Sequence, residues 1–126
     1  MAIQYYGDGS FIATSAISAN RLVAISPDRT VWALATAKYP DGVTLNDAAA
    51  GDYVAVRFWN AGGHTKVSFT LGPVTCGDVV YSVASGQAGR SQGTITIGRV
   101  TQTLTSAQTI AGTSVVEILP GWNTAN

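Results

Sequence analysis

Charged side chains are scarce in this sequence. Asp, Glu, Lys and Arg make up 11% of its 126 residues, whereas about a quarter is usual for a soluble domain. Seven basic residues balance seven acidic ones, so the formal net charge is zero. A nucleic-acid-binding surface needs clustered Lys and Arg to replace counterions around phosphate, and here they are scattered singly. The composition therefore argues against direct nucleic-acid binding and favours association with other proteins.

Groups that could carry chemistry are also few. Cys76 is the single cysteine and His64 the single histidine, so an intramolecular disulfide and a zinc site of the usual Cys/His spacing are both excluded. We expect Cys76 to be a small buried residue near a strand and His64 to be an ordinary loop residue. G-x-S-x-G, phosphate-loop and calcium-loop patterns do not occur. The sequence predicts no catalytic residue, no cofactor and no metal site.

Long apolar runs are missing as well. No uninterrupted stretch is long enough to span a bilayer, and the first residues show neither a basic region nor an apolar core of a signal peptide. We expect the protein to be made in the cytoplasm and not to associate with a membrane.

Strand-forming residues fill what remains. Hydrophobic residues make up 46% of the chain and 14 glycines punctuate it at short intervals, with Val, Ile, Thr and Tyr between them, as in β proteins. No helical periodicity exceeds about two turns. The sequence predicts one all-β domain, a small β-barrel or β-sandwich. Its candidate strands lie at 20–25, 30–37, 53–59, 66–71, 79–83, 94–103 and 114–119.

Two internal similarities suggest repeated hairpins. Residues 50–58 (A-G-D-Y-V-A-V-R-F) align with 111–119 (A-G-T-S-V-V-E-I-L), and the Gly-Asp pair of 51–52 returns at 77–78. The spacing is too irregular for a solenoid. A small barrel made of similar hairpins is the economical interpretation.

The N-terminal residues differ from the rest and allow two interpretations. Residues 1–19 mix aromatic and branched side chains with Gly and Ser, and no hairpin partner follows closely. They form either a further strand of the barrel or an extended arm, followed by a β domain over 20–126. An arm would pair with a neighbouring protein's sheet edge. Its candidate partner-binding residues are Ile3, Gln4, Tyr5, Tyr6, Phe11 and Ile17.

The three tryptophans are candidates for core or contact residues. Trp32 and Trp59 fall inside candidate strands, which favours the core, whereas Trp122 follows the last strand and needs cover from its own domain or from a neighbour. Trp59 and Trp122 are the candidates for a subunit interface.

Four motifs in order resemble the decoration, or cement, proteins of tailed-phage capsids. The family shows an A-G-(D/E)-x-V-x-V strand, a G-D-x-V-Y strand, an I-G-x-(A/V) step and a final A-G-x-x-V-x-(V/I)-x-L strand. The matching residues here are 50–56, 77–81, 97–100 and 111–119. Each motif alone is weak, but the order and approximate spacing agree from residue 22 to residue 119.

The resemblance implies a β-tulip-like domain with an N-terminal arm and a non-enzymatic function. Such a protein binds the major capsid protein on the outer surface of an expanded icosahedral head. It does so as a homotrimer at three-fold and quasi-three-fold sites, stabilising the virion against the pressure of packaged DNA. Two alternatives remain open: another virion subunit (tail-tube, head-completion or spike), or a carbohydrate-binding β-sandwich. The exposed aromatic residues of the latter would be Tyr39, Tyr53, Trp59 or Trp122.

Overall fold

The fold is all-β, as the sequence predicts, but it contains two closed barrels where one was expected. The computed structural model describes residues 8–59, 64–69, 75–89, 95–101 and 114–120. These residues form ten strands and a single 3-10 turn at Ala84–Gly86. The strands divide in chain order, with five in each barrel.

Barrel 1 contains the first five strands, in the spatial order β1-β3-β2-β4-β5. Its sheet closes where β1 pairs antiparallel with β5, and the pair β1–β3 is parallel while the other neighbours are antiparallel. The strands are β1 (Asp8–Ala13), β2 (Leu22–Ile25), β3 (Thr30–Ala33), β4 (Gly42–Thr44) and β5 (Tyr53–Phe58).

Barrel 2 repeats this arrangement with the next five strands. The parallel pair is β6–β8, and the remaining pairs β7–β8, β7–β9, β9–β10 and β10–β6 are antiparallel. Each strand of barrel 1 therefore has a counterpart five strands later. The strands are β6 (Thr65–Phe69), β7 (Val79–Ser82), β8 (Ala88–Gly89), β9 (Thr96–Val100) and β10 (Ser114–Pro120).

Backbone details at the start of β2 and β7 show the same correspondence. The amide of Asn20 donates to the carbonyl of Thr44 at 2.7 Å, and the amide of Gly77 donates to the carbonyl of Val100, also at 2.7 Å. Asn20 and Gly77 both have positive φ, 63° and 97°. Asn and Gly are the residues that adopt this conformation most readily.

The turns that follow these strands also correspond. Ser26 donates to the carbonyl of Thr30, and Val83 donates to that of Gln87, so each turn spans the same number of residues. The next-to-last residue of each turn has a positive φ: 67° at Arg29 and 69° at Gly86. The shared topology and turn geometry indicate that the chain is a tandem repeat of one five-stranded barrel.

The interior of barrel 1 is apolar. Strand β5 alternates strictly, with Val54, Val56 and Phe58 buried and the intervening side chains directed outwards, as a strand with one buried face requires. The buried cluster inside barrel 1 consists of Phe11, Ala13, Ile17, Val23, Val31, Val54, Val56 and Phe58.

A second buried cluster joins the two barrels. It contains interior residues of barrel 2 and also Leu22, Leu34, Val43 and Trp59 of barrel 1. Leu22 and Val43 are cross-strand neighbours on β2 and β4, and both are fully buried although they lie on the outer face of their own barrel. Barrel 2 therefore covers this part of barrel 1. The barrel 2 members are Val67, Phe69, Val80, Ala88, Ile97, Val100, Val116 and Ile118.

The sequence similarity between residues 50–58 and 111–119 identifies equivalent strands, β5 and β10, but misaligns them by one residue. It places Val54 opposite Val115, yet Val54 is buried and Val115 is 37% exposed. The buried residue equivalent to Val54 is Val116. Phe11 of β1 and Val67 of β6 are equivalent, and they pair with Val54 and Val116. A slip of one residue exchanges the two faces of a strand.

The second similarity does not mark equivalent strands. The Gly-Asp pair at 51–52 precedes β5, whereas the pair at 77–78 precedes β7, whose counterpart is β2. The repetition therefore reflects a common way of entering a strand rather than the duplication.

The strand interpretation of the N-terminal residues holds for residues 8–13, which form β1 inside barrel 1. β1 pairs with both β3 and β5, and the predicted division of the chain between residues 19 and 20 stays a prediction. Residues 1–7 lie outside the described residues, so an arm over that segment stays a prediction.

Closure of barrel 1 places Gly42 against β5. A Cβ atom at Gly42 would lie 2.6 Å from Cγ1 of Val56 and 2.7 Å from the carbonyl oxygen of Arg57. Because the second contact is with backbone, we expect Gly42→Ala to lower the free energy of unfolding by about 1–3 kcal/mol, measured by urea denaturation.

A glycine in open space gives the matched control. Gly51 has φ +87° and nothing within 4 Å of its built Cβ, and Asn tolerates such a conformation. Gly51→Asn should change stability by less than about 0.5 kcal/mol. If Gly42→Ala is as stable as the wild type, β4 and β5 do not approach this closely.

Candidate functional site

Two predicted anchor residues, Phe11 and Ile17, are core residues within the single chain. Phe11 is 1% exposed, and its ring meets that of Phe58 edge to face at 5.7 Å between centroids. The guanidinium carbon of Arg29 lies 4.9 Å from the centroid of Phe11. Ile17 is 6% exposed and forms a β-bridge with Ala48. Almost none of either side chain is exposed in the single chain, and the predicted contact of both with a neighbouring protein stays a prediction.

The other four predicted anchors, Ile3, Gln4, Tyr5 and Tyr6, lie outside the described residues. The strand to which their segment is joined begins at Asp8, which pairs with Arg57 at the end of β5. Their predicted role in binding a partner remains a proposal.

Trp59 lies in the seam, by which we mean the contact between the two barrels that is formed by the second buried cluster. Its side chain is 4% exposed, and its indole Nε1 donates to the carbonyl oxygen of Ile97 in barrel 2 at 3.1 Å. A single chain does not test the predicted subunit contact, but it leaves almost no surface of Trp59 for a neighbour to cover. Trp122, the other predicted interface residue, lies outside the described residues.

Backbone hydrogen bonds also cross the seam. The amide of Ser68 in barrel 2 donates to the carbonyl of Asn20 at 2.8 Å, and that of Gly86 donates to the carbonyl of Leu34 at 2.7 Å. Together with the shared apolar cluster, these bonds fix the position of barrel 2 on barrel 1.

Barrel 1 carries exposed apolar side chains on the outer sides of β1 and β5, where Arg57 also lies. Tyr53 is 71% exposed and pairs with Ile12, while Ala55 pairs with Ser10. Leu45, 43% exposed, lies beside Ala55 and donates its amide to that residue's carbonyl at 2.9 Å. We call Ser10, Ile12, Leu45, Tyr53 and Ala55 the Tyr53 face.

The equivalent surface of barrel 2 is mixed, because it carries charged residues together with Val115, which is 37% exposed, and the next outward residue of β10, Leu119, is 45% exposed. Glu117 pairs with Lys66, and Val115 pairs with Ser68. Thr101 donates its amide to the carbonyl of Glu117 at 3.0 Å, as Leu45 does to Ala55. We call Lys66, Ser68, Thr101, Val115 and Glu117 the Glu117 face.

The carboxylate of the Glu117 face is held by neighbouring polar groups. The Thr101 hydroxyl donates to Oε1 of Glu117 at 3.0 Å. Nδ1 of His64 lies 3.2 Å from the same oxygen. Both His64 and Glu117 are partly exposed, so their attraction is screened by water and contributes little to stability.

Ionisable groups elsewhere show modest perturbations. A hydrogen bond from the Thr30 hydroxyl lowers the pKa of Asp28, a turn residue, and partial burial raises the pKa of Tyr39. Cys76, expected to be buried, is exposed. Within the described ranges, no group of three His, Cys, Asp or Glu side chains is placed to hold a metal ion. No helix in these ranges is long and apolar enough to cross a membrane.

Tyr53 was named as an exposed aromatic residue only under the carbohydrate-binding alternative, and the side of β5 that faces solvent was not predicted. The signal was present in the alternation of Tyr53, Ala55 and Arg57 with the buried valines. Small and polar residues between large apolar ones indicate a solvent-facing side. Leu45 follows the three-residue strand β4, which the sequence did not predict.

Comparisons with known proteins give one informative result. No protein-family model matches the chain, and no curated protein matches it. Among solved structures, the chain is similar to the head fiber gp8.5 N base of bacteriophage phi29, with a TM-score of 0.71 and 20% sequence identity. The match covers 94% of this chain and 97% of that chain. At this identity the likeness establishes a shared fold.

The seam makes Trp59 more sensitive to substitution than Trp32, which is 40% exposed. Trp59→Phe keeps an aromatic ring but removes the donor to Ile97, so we expect stability to fall by about 1–3 kcal/mol. Trp32→Phe should change it by less than about 0.5 kcal/mol. Guanidinium denaturation of both variants tests this, and equal losses would contradict the placement of Trp59 in the seam.

Proposed function

We propose that this protein is a structural component of a tailed-phage head and binds the outer surface of the capsid as a decoration protein. The observation that carries the proposal is the fold, shared over nearly the full length of both chains with the base of a phage head fiber. The resemblance of four motifs to decoration proteins is weaker support, since no family model matches the chain. The low charge and zero net charge suit a subunit of a large protein assembly.

The proposed mode of action is non-enzymatic. A protein that binds the expanded shell better than any unexpanded or disassembled form adds its binding free energy to the stability of that shell. In a homotrimer, three modest contacts act together because the first raises the effective concentration of the others. We propose this arrangement at three-fold and quasi-three-fold sites, with the major capsid protein as partner.

Barrel closure constrains how the chain can bind. In both sheets the described strands have a neighbour on each side, so these strands leave no sheet edge for a partner to extend. A partner of the described strands must therefore contact the outer faces of the barrels, and segments outside these strands offer further contacts. In our proposal residues 1–7 lie along the capsid protein, with Ile3, Gln4, Tyr5 and Tyr6 as contacts.

Capsid uptake tests the function directly. Mixing the protein with expanded, undecorated capsids of the phage that encodes it should give saturable binding in multiples of three copies, measured by light scattering and by density of the purified particles. The protein alone should show the mass of a trimer. Protein that ignores capsids and forms rings or tubes alone would instead support the tail or connector alternative.

The arm is tested by deleting residues 2–7. Capsid occupancy should fall at least tenfold, because the deletion removes four proposed contacts but leaves every described strand intact. Thermal melting should be unchanged. Full occupancy by the shortened protein would exclude the arm from the mechanism.

A longer deletion, through Phe11, is unsuitable for that purpose. It removes most of β1 and a side chain that is 1% exposed in the barrel 1 core. Loss of a buried phenylalanine alone costs about 3–5 kcal/mol, so lost binding would report unfolding.

A further inference from the structure

We propose that Arg99 keeps the outer side of barrel 2 from binding a second copy of the chain. This inference concerns self-association, goes beyond the proposed function and does not depend on it. Its basis is the seam, which shows which outer positions of barrel 1 become an interface. The shared topology shows where the same positions lie on barrel 2.

The seam covers one row of outer residues on barrel 1. Leu22 of β2 pairs with Val43 of β4, and Val43 pairs in turn with Arg57 of β5. Leu22 and Val43 are fully buried, while Arg57, at the side of the row, is half-buried. The two apolar positions are therefore the ones that barrel 2 covers completely.

The equivalent row of barrel 2 has the same kinds of residue in a different order. Val79 of β7 pairs with Arg99 of β9, and Arg99 pairs with Leu119 of β10. Arg99 is exposed, Leu119 is 45% exposed and Val79 is half-buried. The arginine thus lies in the middle of the row, where barrel 1 has a valine. A partner that covered the row would bury this charge and remove its hydration.

Arg99 also occupies a hydrogen-bond acceptor of the kind that the seam uses. In barrel 1 the carbonyl of Asn20 accepts the amide of Ser68 from barrel 2 at 2.8 Å. The residue equivalent to Asn20 is Gly77, and its carbonyl accepts from the guanidinium of Arg99 at 3.0 Å. A second copy on this side would have to displace that bond as well as bury the charge. One side chain therefore blocks the surface in two ways.

The residues beside the row do not by themselves prevent an interface. Arg21 lies beside the row in barrel 1 and donates to the carbonyl of Ser85 across the seam at 3.0 Å. A charge at that position, which is Asp78 in barrel 2, is therefore compatible with an interface. The other flanking position is Ala24 in barrel 1 and Tyr81 in barrel 2, and both are half-buried. Arg99 is thus the residue by which barrel 2 departs from the seam.

Without Arg99, a second copy would meet this surface with the same surface of its own barrel 2. The end of barrel 2 that covers barrel 1 is already used within each chain. The corresponding end of barrel 1 bonds to itself, because Ile12, the equivalent of Ser68, donates its amide to the carbonyl of Arg29 at 2.9 Å. Two apolar rows then remain that can cover one another, as in a two-fold dimer.

The test makes the row of barrel 2 apolar. Arg99→Val introduces the residue that barrel 1 has at this position, and we expect the variant to associate as its concentration rises, to about twice the mass of the wild type. Sedimentation velocity measures the mass. Because the reference is the mass of the wild type itself, the test holds for a monomer or a trimer. Arg99→Leu repeats it with another apolar side chain, and thermal melting checks that both variants are folded.

Two further variants make the result specific. Lys66→Val removes an exposed cation elsewhere on barrel 2 and changes the net charge by the same amount, so its mass should equal that of the wild type. The double variant Arg99→Val/Val79→Lys returns a charge to the row, at the position equivalent to the fully buried Leu22. It should have the wild-type mass again.

Folded Arg99→Val and Arg99→Leu variants that keep the wild-type mass at every concentration would overturn the inference. Association of Lys66→Val would also overturn it, because the loss of any surface charge would then be sufficient. Association of the double variant would show that the row is not the surface that binds, with the same consequence. None of these results bears on the proposed function, which is tested by capsid uptake of the wild type.

Discussion

Closure of each five-stranded sheet is the constraint on which the rest of the structure depends. It requires the first and last strands of each barrel to pair, β1 with β5 and β6 with β10. The interior enclosed in this way is narrow. Valine fills half of its buried positions, and larger side chains such as Phe11 and Phe69 fill most of the others. Closure also satisfies the backbone within the barrels, which removes the edges through which β proteins often associate. Any partner of the described barrels must therefore recognise side chains on their outer faces.

The chain contains two such barrels, and their contact at the seam gives equivalent outer positions different burial. Leu22 and Val43 lie on the outer face of barrel 1 and are fully buried, whereas Arg99, equivalent to Val43 in barrel 2, is exposed and donates to the carbonyl of Gly77. One barrel thus has an apolar outer surface that the other covers, and the second has a solvated surface at the same place. A tandem repeat whose halves were identical would expose the uncovered apolar surface to water, with a risk of uncontrolled association.

The sequence was sufficient to predict the fold class but not the number of barrels. β5 and β6 could be predicted because each presents several alternating or β-branched residues to a core. β4 and β8 have three and two residues, too short for any periodicity to be detected. The duplication was only partly visible. The similarity between 50–58 and 111–119 was correct for the strands, but burial shows that Val54 corresponds to Val116. β1 was ambiguous because its partners, β3 and β5, lie far along the chain, and pairing over such separations leaves no local signal.

The same limit applies to the candidate site. The sequence shows which aromatic residues fall within strands, but it does not show that Trp59 is buried while Tyr53 is exposed. One is buried because barrel 2 packs over it, and the other is exposed because nothing in the described chain covers that side of barrel 1. The alternation along β5 places both positions on the outer side of barrel 1, so the difference between them arises from the packing of one barrel on the other. Once that packing is known, the comparison between equivalent faces becomes informative. Equivalent positions such as Val43 and Arg99 differ in chemistry because barrel 2 covers the first and solvent reaches the second.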